Sequence, residues 1–436
     1  MAHEPFAARD VVLADGGSAR VRTARPDDAE RLVAFHRGLS LETIHFRYFS
    51  ALAKLPQRIL DRFTRVNFDR DMVLVAELGD RIIALASYHG DGAPGVAEVA
   101  FVVADEHHGR GLATLMLEEL AEVARERGVS RFRADTLSNN RDMLRVFADA
   151  GFELDRASDL GVVHLGFPVA ETPRTKLARE RREHLAQARS IAAIVAPRSV
   201  ALAGEFAAQA PRLRAQGFRG ELSADPERLR ERVDLVLYAG PVGEVPGLVA
   251  TAAQLEAHAL LLGELRGEPA GLERDAFDFE LRIAVRRQGM RLLGPASCGL
   301  ANTAPGVSLC AGLGPPPAPG RVSIACDASR DAAELLAQLR AAGVGVAQFV
   351  SLGRRADVSL NDLLQHWAED EATGAVALAV SKLGNAQKFA RVAARVLERK
   401  PVLALTCEGL DAELASTGAR TVDSVDAWLA ALRELG

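Results

Sequence analysis

The chain has 436 residues, more than one core of ordinary size can hold, so two or three domains are expected. Hydrophobic residues make up 48% and charged residues 25%, with a net charge of −5, which fits a globular protein and excludes a nucleic-acid binder as a whole. No apolar run reaches membrane-spanning length, and the start MAHEPFAARD lacks the apolar core of a secretory signal, so a cytoplasmic protein without a membrane partner is expected.

Val21 to Arg25 reads as a strand. Pro26-Asp27-Asp28 then opens a helix through Leu39, with Pro in its first turn and acids at its positive end. Leu41 to Phe49 and Arg58 to Phe63 read as helices. Met72 to Glu77 and Ile82 to Tyr88 read as strands joined by the Gly79-Asp80 turn. From Val96 another strand begins, in which Val99, Phe101 and Val103 alternate with Ala100 and Val102. It stops at a polar turn, His107-His108-Gly109-Arg110-Gly111-Leu112-Ala113. A helical pattern follows at once: Leu112, Leu115, Met116, Leu120 and Val123 recur at three- and four-residue steps.

Glycines at a strand-to-helix turn let backbone amides crowd around an anion, and the helix dipole favours negative charge there. The turn therefore predicts a pyrophosphate cradle. Its glycine spacing is not the Rossmann fingerprint. Phe132 to Leu137 reads as a strand, and Asn140 to Ala150 as a helix closed by Gly151. Strands resume at Phe152 and at Val162 to Phe167.

After Pro168 the chain becomes arginine-rich, ETPRTKLARERREHLAQARS, with no apolar stripe wide enough for a core. It reads as an exposed linker helix and not as a nucleic-acid patch. From Ser199, short apolar strands (Val200 to Ala203, Leu235 to Ala239, Ala259 to Leu262, Arg291 to Leu293) alternate with helical segments, the pattern of a parallel, helix-flanked sheet. Gly312 to Gly320, GLGPPPAPG, reads as a linker. The same alternation then returns at Arg321 to Ala325, Val346 to Ser351, Ala375 to Val380 and Pro401 to Thr406. The four cysteines, Cys298, Cys310, Cys326 and Cys407, have neither CxxC spacing nor a local His. They read as reduced, packed thiols with no metal site.

The region from Arg20 to Phe167 resembles the GCN5-related N-acetyltransferase family. The strand, the HGRGLA turn-helix and NRDMLRVFADAGF carry the resemblance, in that family's order. It implies acetyl-CoA as acyl donor. The pyrophosphate would lie on the turn His108, Gly109, Arg110, Gly111, Leu112, Ala113 and Thr114. The pantetheine would pair with a splayed strand at Val102 and Val103, and Asn140 would sit by the thioester. Acetyl transfer needs a neutral amine, yet a lysine of pKa ~10.4 is protonated at pH 7. Glu98, in an otherwise apolar strand, is the expected general base, with desolvation raising its pKa. The resembled lysine acetyltransferases carry a Glu in this strand. Many members use a Tyr as general acid where this chain has Phe147. His107 and His108 are expected to be phosphate-side or exposed residues and not proton shuttles.

Ser190 to Glu408 resembles the first two domains of nucleoside-diphosphate-forming acyl-CoA synthetases, through Pro197-Arg198-Ser199-Val200, Gly289 to Pro295, the segment from Phe349 and the segment from Lys388. The departures argue against synthesis. Glu205 stands in the coenzyme A turn. The phosphate loop reads Cys326-Asp327-Ala328-Ser329-Arg330. The stretch after Lys400-Pro401-Val402 lacks the phosphate-carrying His. The expected architecture is α/β: residues 1–170 a GCN5-type fold with a mixed, largely antiparallel sheet, 171–190 a basic linker helix, 191–311 a degenerate Rossmann-like coenzyme-A-binding domain, and 320–436 a flavodoxin-like synthetase domain. The pairing resembles bacterial protein lysine acetyltransferases that modify acyl-CoA synthetases. It implies such a protein as partner, with a regulatory or docking C-terminal half. The alternatives are a small-amine acetyltransferase and a non-catalytic acyl-CoA sensor.

Overall fold

The computed structural model describes residues 6–225, 232–328, 330–405, 414 and 417–435. They divide into two compact units, residues 1–186 and 187–436.

The first unit runs β1 (Arg9–Val12), β2 (Ser18–Thr23), α1 (Ala29–Gly38), α2 (Leu41–Tyr48), α3 (Gln57–Thr64), β3 (Asp71–Leu78), β4 (Arg81–Gly90), β5 (Val96–Val103), α4 (Leu112–Glu126), β6 (Arg131–Leu137), α5 (Arg141–Asp149), β7 (Asp155–Asp159) and β8 (Val162–Pro168). The strands form one sheet in the order β1-β2-β3-β4-β5-β6-β8-β7, antiparallel except where β5 meets β6. The central strands are buried on both faces. Met72, Leu74, Ala86 and Tyr88 pack toward Met116 and Leu120 of α4 and Phe147 of α5. Val73, Val75, Leu85 and Val102 pack toward Leu32, Ile44 and Phe63 of α1 to α3. Phe152, expected to resume a strand, instead lies in the turn after α5. Its ring is spent on the core, 4.9 Å from that of Phe167.

α1 is bolted to the sheet by buried charges. Arg22 of β2 donates to both carboxylate oxygens of Asp28 at 2.7 Å and to Glu77 of β3 at 2.8 and 3.1 Å. Arg31 of α1 reaches the same two acids at 2.9 and 3.0 Å.

α6 (Pro173–Val195) follows, and the division between the units falls within it. The arginine-rich stretch is thus helical, as its composition suggests, but not simply solvated. Arg179 pairs with Glu122 at 2.9 Å and Arg182 with Glu118 on α4. Beyond the division, Ile191, Ile194 and Val195 are buried in the core of the second unit.

The second unit holds two sheets. One is parallel, ordered β10-β9-β11-β12-β13, with β9 (Ser199–Gly204), β10 (Glu221–Ser223), β11 (Leu235–Pro241), β12 (Ala259–Arg266) and β13 (Arg291–Leu293). The other is ordered β15-β14-β17-β16-β18-β19-β20. Its strands are β14 (Leu300–Asn302), β15 (Leu309–Ala311), β16 (Pro319–Cys326), β17 (Val346–Ser351), β18 (Ala375–Ala379), β19 (Val402–Leu405) and β20 (Arg420–Val422). β14 runs antiparallel to both β15 and β17. Residues 300–302 and 309–311, assigned from sequence to the first of these two domains, hydrogen-bond into the second sheet. The two sheets also share one core, in which Leu237 and Leu261 of the first meet the same cluster as Val376 and Leu378 of the second. Arg291, 1% exposed, ties β13 to Asp357 at 2.9 Å and Asp362 at 3.3 Å.

Burial alone would raise the Asp28 carboxyl. The hydrogen bonds from Arg22 and the Arg25 amide, with the charges of Arg22 and Arg31, outweigh it and hold the group below the ordinary carboxylate range. A depressed folded pKa contributes stability that is present above the unfolded value, about 3.9, and lost as pH falls through the folded one. Asp28→Asn should cost about 1–3 kcal/mol, since it removes one of the two carboxylates that hold the buried Arg22 and leaves Glu77 as the other. Amide exchange across α1, measured by mass spectrometry, should accelerate in the variant. In the parent it should accelerate below about pH 4.

Candidate functional site

β4 and β5 stay paired from Gly90↔Ala97 to Ala84↔Val103, and β6 and β8 from Arg131↔Pro168 to Leu137↔Val162. The parallel pair β5 and β6 meets only at Val96↔Arg131, Ala97↔Phe132 and Glu98↔Arg133. Beyond Glu98 the strands part. The edge of β5 from Val99 to Val103 then faces a fork, and its backbone groups on that side need a partner. An extended amide chain can supply one, as an added strand does. On the α5 side of the fork, Phe101, Phe147, Phe167 and Phe132 stack in sequence at ring spacings of 6.0, 5.4 and 5.9 Å. Phe147 belongs to this apolar wedge and offers no hydroxyl.

At the open end of the fork the chain turns through Asp105 to Gly111 into α4. Gly109 and Gly111 take φ of 75° and 77°, left-handed values that a side chain would strain. A Cβ on Gly109 would meet nothing within 4 Å, whereas one on Gly111 would press on the Ala14 Cβ at 3.2 Å. Gly109 thus leaves open space, and Gly111 makes a close backbone approach. No side chain caps α4. The Leu115 amide bonds back to the Gly111 carbonyl at 3.1 Å, so the amides of Leu112, Ala113 and Thr114 precede the helical ladder. The nearby acid Asp105 is engaged elsewhere. It accepts from the Ser40 amide at 2.8 Å and from the Ser40 and Thr43 hydroxyls at 2.5 and 2.7 Å, at the start of α2. Free amides, an uncapped helix start and an open glycine fit a pyrophosphate.

Two side chains of this turn have other work. Arg110 donates to Asp15 at 2.7 Å and lies 2.7 Å from His107 Nδ1, while its carbonyl accepts from the Ala14 amide at 2.9 Å. It braces the β1–β2 loop against the turn, so a ligand would meet its backbone and not its guanidinium. His107 is buried, and burial followed by the Arg110 charge pulls its imidazole pKa down. His108 lies 3.0 Å from the Val103 carbonyl. That contact takes one group of the free edge, leaving Val99 to Val102 for strand-like pairing. The side chains of Val102 and Val103 are buried in the cores on opposite faces. Asn140 caps α5, accepting from the Met143 amide at 3.1 Å.

Glu98 stands on the last shared rung, at the apex of the fork. The sequence predicts a desolvated carboxyl, but the side chain is exposed. Alternation puts Ala97, Val99 and Phe101 in the core and Glu98 on the opposite face, where cover from α1 to α3 reaches Val102 and stops short of Glu98. Glu98 lines one end of a groove of about 560 Å³ that continues over Arg133, Asp135 and His164. His164 Nδ1 lies 2.8 Å from Asp135. Three further residues sit around Glu98 that sequence reasoning missed. His89 lies opposite it on β4, and Arg47 and Arg62 come from α2 and α3.

In the second unit the turns flagged from sequence hold carboxylates. Glu205 follows β9 and pairs with Arg266. Asp327, 3% exposed, accepts from the Ser381 amide at 2.8 Å and hydroxyl at 2.9 Å. Asp331 caps the helix α10 (Ala332–Ala341). Ser329, Cys407 and the start of the stretch expected to carry a phosphorylated His lie outside the described residues. Burial pushes the Cys310 thiol up to about 11 and the Cys326 thiol higher still, while Cys298 is exposed. Among the described residues no group of His, Cys, Asp and Glu could hold a metal ion, and no helix is long and apolar enough to cross a membrane.

Residues 39–152 match the Acetyltransferase (GNAT) family, and residues 319–436 the Succinyl-CoA ligase like flavodoxin domain. The acetyltransferase Pat of Mycolicibacterium smegmatis is 32% identical over 146 residues, 33% of this chain and 43% of that protein. The structure of the GNAT domain of S. lividans PAT is 44% identical, with a TM-score of 0.36, over 37% of this chain and 96% of that one. Acetate–CoA ligase [ADP-forming] I of Archaeoglobus fulgidus is 28% identical over 214 residues, 48% of this chain and 31% of that protein. The chain thus spans less than half the length of the Mycolicibacterium and Archaeoglobus relatives. The chain carries an acetyltransferase domain of the GNAT family at residues 39–152 and a succinyl-CoA-ligase-like flavodoxin domain at residues 319–436.

Proposed function

We propose that the protein is an acetyl-CoA-dependent lysine N-acetyltransferase acting on other proteins, with an acyl-CoA synthetase as the expected target. The observation that carries this reading is the fork: free amides at its open end, an unpaired strand edge along it and one carboxylate at its apex. From Glu98 to Val103 the strand rises roughly 17 Å, so the amide turn and Glu98 mark two ends of one extended site. The amides of Gly109 to Thr114 would hold the pyrophosphate, and Val99 to Val102 would pair with the pantetheine. Bound there, acetyl-CoA supplies an activated acetyl group.

Glu98 takes the proton from the lysine ammonium, directly or through one water, and so frees the nitrogen lone pair for attack. The Glu98 carboxylate opens into a solvent-facing groove of about 560 Å³, which favours a side chain presented on a protein surface over a small enclosed amine. The second unit is proposed to dock the protein substrate or regulate the transfer. Glu205 at one turn, and Asp327 with Asp331 at another, place negative charge where a synthetase holds phosphates, which opposes synthesis.

Incubation of the full chain with acetyl-CoA and purified acyl-CoA synthetases, lysine peptides or small amines tests the reading by coenzyme A release. Release only with small amines would replace the protein acceptor, and no release with any amine would leave a sensor. Glu98→Gln should lower turnover by roughly 10²–10⁴-fold at neutral pH with acetyl-CoA affinity nearly intact. A variant within a few-fold of the parent removes Glu98 from the reaction.

Gly109→Val strains a left-handed residue and fills the open space above the amides. Calorimetry should show acetyl-CoA affinity reduced by roughly tenfold or more, the scale of about 1.4 kcal/mol. Unchanged affinity in the folded variant would place the cofactor elsewhere.

A further inference from the structure

Glu98 of β5 and Arg133 of β6 are register partners. The residues before them, Ala97 and Phe132, are buried in one core. Both charged side chains therefore stand on the opposite face, and both line the groove of about 560 Å³. Adjacent strands lie about 4.8 Å apart, and opposite charges in register on one face ordinarily pair. These two do not. Among the described residues the Glu98 carboxylate makes no hydrogen bond or ion pair. The Arg133 guanidinium goes to Asp91 instead, with Nη1 3.0 Å from Oδ2.

Asp91 lines the same groove and opens the turn between β4 and β5. Its Oδ1 accepts from the Ala93 amide at 2.9 Å, which fixes the side chain to its own turn and leaves Oδ2 for Arg133. That turn is tied to the start of β6, because the Gly95 carbonyl accepts from the Ser130 and Arg131 amides at 2.8 and 3.1 Å. Two other cations of the groove have acids of their own, Arg131 with Asp155 and His164 with Asp135. On the β4 side Glu98 is in register with His89. Burial pulls that imidazole down to about 4, so it brings no positive charge at neutral pH. An exposed ion pair such as Asp91 with Arg133 adds little stability. What it does decide is where a guanidinium points.

We propose that Asp91 is a positioning residue that holds the Arg133 guanidinium away from Glu98, so that the carboxylate at the apex of the fork stays free for the acceptor ammonium and its proton. The inference rests on Glu98 acting as the base of the proposed transfer. Released from Asp91, Arg133 has Glu98 as its neighbour in register. Its donors would then cover the oxygens that must take the proton. Its charge would repel the incoming ammonium. Asp91 and Arg133 make and break no bond in the reaction; they set which partner the carboxylate meets.

The experiment uses the full chain with acetyl-CoA and a lysine peptide. Asp91→Asn keeps one oxygen for the Ala93 amide and removes the charge. It should lower kcat/KM by roughly fivefold, the scale of one exposed ion pair, with acetyl-CoA affinity by calorimetry unchanged. In an Arg133→Gln background the same change should have less than about a twofold effect. An equal fall in both backgrounds makes Asp91 a part of its turn only. No fall in either shows that Arg133 needs no holding. Each of these results overturns the proposal.

Side-chain NMR of Arg133, assigned by the signal lost in Arg133→Gln, reads the arrangement without turnover. The guanidinium resonance should respond to Glu98→Gln far more in Asp91→Asn than in the parent. That result with no coenzyme A release from any amine supports the arrangement while the acetyltransferase reading fails. Turnover with an equal response in both backgrounds overturns the role of Asp91 and leaves the transfer standing.

Discussion

Parallel pairing between β5 and β6 lasts for three rungs and then stops. Backbone donors and acceptors that lose a strand partner must find another, and this requirement organises the first unit. β4 holds one side of β5 along its length and β8 holds the far side of β6, so the parting is fixed from both flanks. The aromatic wedge fills the space beneath it. The glycine turn then lies at the mouth of the opening and Glu98 at its apex. Binding and chemistry are separated along a single strand edge.

The glycine turn was legible because its signal is local. A polar turn with two glycines stands between a period-2 and a period-3.6 pattern, and both glycines do adopt the left-handed conformation such a turn needs. β1 and β7 were not legible. Arg9–Val12 is short, and every residue of Asp155–Asp159 is exposed, so neither carries an alternating apolar pattern. Their pairing is decided by β2 and β8. β14 and β15, three residues each, were missed because they too are short.

Glu98 was located by pattern but misjudged in environment. Alternation shows which face a strand residue takes, whereas the reach of the helices covering that face is a tertiary fact. Arg47, Arg62 and His89 come from three elements with no common spacing, so only the fold brings them together. Arg110 is the converse case. Its place in the motif suggested a ligand contact, and its side chain turned out to be the brace between two loops. In the second unit, charge read from sequence at Glu205 and Asp327 gained a physical meaning from the structure. Asp327 is buried and bonded to Ser381, so its carboxylate is part of the turn itself.

The brace through Arg110 also bears on how the protein can be cut. The family match begins at residue 39, yet Ala14 and Asp15, which hold the glycine turn, precede it by more than twenty residues, and β6 is held by β8, which follows its end at 152. A fragment trimmed to the matched stretch would keep every residue of the motif. It would discard the scaffolding on both sides, so its failure to fold or bind would say nothing about the motif itself.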